Sequence, residues 1–202
     1  MNTATDALIV VDVQNDFCSH GALAVPDGDA VVPVINELAR DFAVVILTQD
    51  WHPPGHSSFA SEHADKSPFD TIIMPYGQQT LWPDHCVQGT RGAEFHPDLH
   101  TDRAQLVVRK GFRRAIDSYS AFFENDQVTP TGLTGYLRER RITSVTLAGL
   151  ALDFCVHVSA VDAARCGFEV RVLEHGSRAI DLDGSLAAAR DNMRSAGVRL
   201  AS

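Results

Sequence analysis

Positive charge is scarce in this chain of 202 residues: 17 Lys and Arg stand against 26 Asp and Glu, a formal charge of −9 at pH 7. Nucleic acid and anionic membrane surfaces both need cationic side chains to neutralise phosphates, so neither is an expected partner and a small molecule is. No run of about 18 apolar residues occurs, which argues against a membrane-spanning helix. Residues 1–6 lack the positive flank and apolar stretch of a secretory signal, and the expected compartment is the cytoplasm. The four cysteines, Cys18, Cys86, Cys155 and Cys166, include no CxxC pair of the kind that zinc or redox sites use, which suits reduced thiols. Internal repeats, low-complexity tracts and linkers are also missing.

What is present is globular material. With 45% hydrophobic and 21% charged residues the chain can bury a substantial core, and residues 1–202 read as one domain. Short apolar runs at 7–13, 43–47, 106–109, 145–147, 170–173 and 198–200 have the look of strands buried on both faces. Helical spacing separates them at 29–42, 133–141, 153–166 and 185–196. Strands alternating with helices imply an α/β fold, a doubly wound, mostly parallel six-stranded sheet with helices on both faces, a Rossmann-like three-layer sandwich. Between 51 and 103 no periodicity is sustained. That is long for a connection, but Trp51, Phe59, Phe69, Trp82 and Phe95 argue for a folded, functional insertion.

In such sheets ligands bind beyond the carboxyl ends of the strands. Asp12, Asp50 and Lys110 fall at three strand ends, and Cys155 follows a fourth. At the start of a helix a thiol meets the positive end of the dipole, which predicts a lowered thiol pKa; the competing reading is an unreactive packed cysteine. Asp12 has the chemistry of a general base and acid, or else of a loop-anchoring carboxylate, and Lys110 that of a thiolate-stabilising cation, or else of a solvated lysine. In Asp50-Trp51-His52 two metal-ligand types stand two apart, so an extended segment points both to one side. With His85 and a candidate fourth ligand, His56, one carboxylate and two or three imidazoles suit zinc, iron or manganese. Cys86, beside His85, is read as adjacent rather than ligating.

These segments resemble the nicotinamidase and pyrazinamidase branch of the isochorismatase-like cysteine hydrolases. The resemblance spans nearly the whole chain and rests on residues 12–17 (DVQNDF), 48–53 (TQDWHP), 82–90 (WPDHCVQGT), 110–111 (KG), 117–122 (DSYSAF) and the Cys155 segment. It implies a catalytic triad of Asp12, Lys110 and Cys155 and one divalent metal, zinc first, on Asp50, His52 and His85. It also implies aromatic walls from Phe17, Trp82 and Tyr119, and an oxyanion site at the amides of Ala151 and Cys155 beside a cis Leu150-Ala151 bond. Leu152 departs from the threonine common in the family, which bears on pocket polarity. The implied reaction is hydrolysis of nicotinamide, and of pyrazinamide, to the acid and ammonia in NAD salvage. Another small amide as substrate, a non-catalytic binding protein, direct metal hydrolysis without a thioester, and a homo-oligomer all stay open at this level.

Overall fold

The computed structural model describes residues 5–201, so most of the segment 1–6 lies outside the described residues. The chain runs through β1 (Asp6–Val11), α1 (Val31–Leu38), β2 (Val44–Asp50), the hairpin strands β3 (Thr71–Met74) and β4 (Gly77–Thr80), and β5 (Leu106–Lys110). Then come α2 (Leu133–Glu139), β6 (Ser144–Leu150), α3 (His157–Arg165), β7 (Glu169–Arg178), α4 (Ser185–Ser195) and β8 (Arg199–Ala201). Six strands form one sheet in the order β5-β2-β1-β6-β7-β8, and every pairing is parallel. No helix among the described residues is long and apolar enough to cross a membrane.

Two-sided burial explains the apolar runs. All six residues of β1 are buried; Ala7, Ile9 and Val11 join Leu133, Leu137, Ala160, Ala163, Ala189 and Met193 on one face, and Leu8 and Val10 join Val31, Val32 and Ile35 on the other. Helices α2, α3 and α4 therefore cover one face and α1 the opposite one. Each large aliphatic so enclosed contributes about 1.5–3 kcal/mol.

Strand order turns at β1 and β6, which opens a crevice beyond their carboxyl ends. Gly149 makes the close approach there: it holds φ 129°, and a Cβ on it would stand 2.1 Å from the Val11 carbonyl oxygen.

Several elements differ from the sequence reading: β7 runs on from 170–173 to Arg178, and three further differences lie nearer the strand ends and the insertion. β2 runs on through Thr48, Gln49 and Asp50 because these polar residues keep their register with Val108, Arg109 and Lys110 and find side-chain partners within the fold. The expected helix from 153 is preceded by a widened π-type turn, Leu152–Val156, in which both the Phe154 and Val156 amides return to the Ala151 carbonyl at 3.1 Å. The insertion contains the β3–β4 hairpin, whose strands are too short and too exposed to show a pattern. Phe59 and Trp82 are buried as expected, whereas Phe69 is 43% exposed.

Candidate active site

Asp12 lies one residue past β1 in the left-handed region (φ 48°), a conformation that Asp tolerates better than most residues. Asp50 and Lys110 close β2 and β5 opposite each other in register. From there the Lys110 ammonium reaches 2.8 Å from Asp12 Oδ2 and 2.9 Å from Asp50 Oδ1, donates to the Ser118 carbonyl at 2.8 Å, and stands 3.5 Å from Cys155 Sγ. Its contact with Asp12 is a fully buried ion pair. Thr48 Oγ1 donates to Asp12 Oδ1 at 2.6 Å and accepts the Asp12 amide at 3.1 Å.

Burial raises the Asp12 carboxyl above the ordinary value in spite of Lys110. Burial works against the charged Lys110 too, but Asp12 and Asp50 outweigh it and hold the ammonium well above the usual lysine range. Asp50 is held well below the carboxylate range, since His52 and Lys110 together exceed the effect of burial.

Cys155 is 6% exposed, and burial pushes its thiol well above the ordinary value; Lys110 pulls it down, while Asp12 and Asp50 push it further up. The lowered thiol pKa expected from a helix start is therefore reversed. Cys155 sits inside the π-type turn, with the regular helix beginning only at His157, and two carboxylates oppose one ammonium. The resting group is a thiol. The Leu150-Ala151 peptide bond is cis, as the resemblance implies, and Ala151 lies in the cavity wall beside Cys155.

Asp50, His52 and His85 bring one ligand atom each to within 4.8 Å of one another. His52 Nδ1–H donates to the Gly111 carbonyl at 2.9 Å and His85 Nδ1–H to Pro83 at 2.8 Å, leaving both Nε2 atoms turned to Asp50 Oδ2, at 3.1 and 3.4 Å. Carbonyl-bound Nδ1 atoms fix the tautomer that a metal needs. Two imidazole lone pairs aimed at one carboxylate oxygen repel unless a cation or proton lies among them, so the donor set fits a divalent metal. Gly111 permits this: its φ is 64°, and a Cβ there would approach His52 Cε1 to 2.5 Å.

His56 spends both nitrogens elsewhere. Nε2–H donates to Arg113 O at 3.0 Å and lies 3.3 Å from Ile116 O, and Nδ1 accepts from the Ser58 hydroxyl and amide. It packs 4.3 Å from the His52 ring, centroid to centroid, and with His52 and Asp117 it forms a second buried group of possible ligands. Cys86 is buried outside that set, its thiol pushed well up by burial. Cys18 does meet Asp29 and His96, but His96 Nδ1 accepts the Asp98 amide, which puts the ring proton on Nε2 facing Asp29 and makes a hydrogen-bonded pair instead of a metal set.

A small cavity opens onto these groups. Phe17, Trp82 and Tyr119 line it as expected, joined by Leu23, Asp117, Phe154 and Ile180, none of which was assigned a role from sequence. Trp82 stands edge-on to Phe154 at 4.9 Å and to Tyr119 at 6.1 Å. Gln79, from the hairpin, donates to Asp117 Oδ2 at 2.8 Å and contacts the Tyr119 hydroxyl at 3.0 Å, where Trp82 Nε1 also donates. Thr48 and Asp117 stood inside the quoted motifs. The adjacency of Phe154 to Cys155 was the only signal for Phe154, and nothing local marks Leu23, Gln79 or Ile180.

The Isochorismatase domain model matches residues 6–202. A nicotinamidase of Acinetobacter baylyi is 54% identical over 193 residues, covering 96% of this chain and 90% of its own. Among solved structures, one described as "Acinetobacter baumanii nicotinamidase pyrazinamidease" superposes with a TM-score of 0.98 at 54% identity, covering 99% of this chain and 97% of that one. The pyrazinamidase of Pyrococcus horikoshii in complex with zinc gives 0.80 at 35% identity, covering 98% and 99%. With a family model matched over nearly its full length and relatives at this identity, the chain belongs to the isochorismatase domain family.

Proposed function

We propose that this chain is a single-domain nicotinamidase, a metal-dependent cysteine amidohydrolase that converts nicotinamide, and pyrazinamide, to the acid and ammonia. The observation that carries this reading is the position of Lys110, which touches Asp12, Asp50 and Cys155 at once and so joins a nucleophile, a base and a metal-ligand set in one buried cluster. The names of the relatives point to the same substrates.

In this reading the ring lies among Phe17, Trp82, Tyr119 and Phe154, with the carboxamide carbon at Cys155 Sγ. Asp50, His52 and His85 would hold a divalent ion, zinc by preference, which when bound would supply a Lewis acid for the pyridine nitrogen. Asp12 takes the thiol proton as sulfur attacks, a coupling that suits a resting thiol whose pKa is raised. The amides of Ala151 and Cys155 hold the oxyanion, each worth about 3 kcal/mol in comparable sites. Asp12 then protonates the departing ammonia and activates water against the thioester. Lys110 keeps Asp12 and Asp50 in register throughout. A cytoplasmic enzyme of pyridine nucleotide salvage follows from the same reading.

Ammonia release from nicotinamide by wild type and Cys155→Ala, each before and after chelator treatment, tests this. Release that needs both the thiol and the metal is expected. Turnover surviving in metal-loaded Cys155→Ala overturns the thioester, and an intact, metal-loaded wild type inert toward nicotinamide overturns the substrate.

A further inference from the structure

Asp153 stands two residues before Cys155, is buried, and takes no part in the chemistry above. No cationic side chain among the described residues pairs with its carboxylate. One oxygen accepts the Ile180 amide at 3.1 Å; the other accepts the Asp181 amide at 2.8 Å and the Ser185 hydroxyl at 2.5 Å. All three donors belong to residues 180–185, the strap that leads from β7 into α4. Asp181, Asp183 and Gly184 hold left-handed φ of 55°, 50° and 84°, and the Asp181 carboxylate accepts the Leu186 amide at 3.3 Å.

Ile180 lines the same cavity as Cys155, so one carboxylate ties a wall of the cavity to the turn that carries the thiol. Hydrogen bonds to an ionised acceptor are roughly twice as strong as neutral ones, and three of them converge here. Ser185 opens α4, where an anion is favoured by the helix dipole. A second link, between the His157 and Asn192 side chains at 2.7 Å, joins α3 to α4 on the same side.

We propose that Asp153 is a positioning residue that clasps the strap against the Cys155 turn, and that by fixing Ile180 it restricts the site to small planar amides. The proposal rests on the amidohydrolase reading and names the group that sets the size limit of that site.

The test uses the full-length, metal-loaded protein as wild type, Asp153→Asn, Ser185→Ala and Ile180→Ala. In Asp153→Asn, KM for nicotinamide is expected to rise about tenfold or more with kcat changed less than about threefold. Preference for nicotinamide over a ring-methylated nicotinamide should fall roughly fivefold. Ser185→Ala should move both in the same direction by less, and Ile180→Ala should reproduce the change in preference with the clasp intact. Independently of turnover, the rate ratio for Cys155 alkylation by iodoacetamide and by a bulkier naphthyl iodoacetamide should fall in all three variants. Equal losses on both amides with an unchanged reagent ratio would reduce Asp153 to a folding role and overturn the proposal. Where Asp153→Asn does not fold, an unchanged reagent ratio in both Ser185→Ala and Ile180→Ala overturns it. A wild type that alkylates size-selectively but ignores nicotinamide overturns the substrate reading while leaving the clasp standing.

Discussion

The ammonium of Lys110 lies 2.8 Å from the carboxylate of Asp12, and neither side chain is exposed at all. A charge enclosed this way stays ionised only because its partner is present, so the two residues stand or fall together. Lys110→Met is expected to lower kcat by about a thousandfold or more and to cost about 3–5 kcal/mol of stability, since it leaves Asp12 and Asp50 facing each other without a cation. Thermal unfolding together with steady-state rates checks this. A stable, active Lys110→Met protein would remove the lysine from the cluster's logic.

Asp12 also sets an acid limit on the rate. Its carboxyl is raised from 3.8 by burial, and the base-competent form is the carboxylate, so kcat/KM should climb with pH through a midpoint above 3.8. The Thr48 hydroxyl favours the charged form; without it the midpoint moves up. Thr48→Val is therefore expected to move the acid limb up by about one pH unit, in line with about 1.5 kcal/mol for a hydrogen bond to a charged group, with the loss in kcat/KM confined to that limb. A profile recorded with metal saturating decides it, and an unshifted acid limb would make Thr48 a packing residue only.

Two-sided burial of the strands makes the sheet legible in the sequence: Leu8 and Ile9 of β1 face opposite cores, so the run reads as apolar throughout. Asp12, Asp50, Lys110 and Cys155 were legible for the same reason, as polar residues at the ends of apolar runs. Beyond that, the sequence carried less. A π-type turn and an α-helix share a local pattern, so the sequence alone predicts the opposite direction for the Cys155 thiol. Ile180 and Leu23 come to the cavity from segments whose path is set by tertiary contacts, among them the Asp153 clasp, and no periodicity announces such contacts. Gln79 was hidden in a hairpin of four-residue strands.

Removal of the metal should abolish turnover without unfolding the protein, because Asp50 keeps its ion pair with Lys110 in its absence. Restoration by added zinc is expected in wild type. Asp50→Ala should fail to recover and should also lose stability, since this one carboxylate serves both the ligand set and Lys110. His85→Ala should lose metal affinity by about 10- to 100-fold or more with a smaller effect on stability. Metal content by mass spectrometry, read beside thermal unfolding, separates the two variants; equal destabilisation would deny Asp50 its double duty.

The raised thiol pKa leads to an outcome opposite to that of a preactivated nucleophile. At pH 7.5 Cys155 should react with iodoacetamide no faster than a free cysteine, because burial, and after it Asp12 and Asp50, push its pKa up. Cys18, whose thiol burial pushes to about 12, should react more slowly than a free cysteine as well. Replacing Asp12 by Asn removes one of the two pushing charges and leaves Lys110 pulling, so the thiol pKa falls. Each unit of fall raises the thiolate fraction about tenfold. Asp12→Asn should thus alkylate faster at Cys155 while losing nearly all turnover, which peptide mapping after timed labelling would show. Slower alkylation in that variant would mean that Asp12 draws the proton off the resting thiol, and that the nucleophile is charged before the amide arrives.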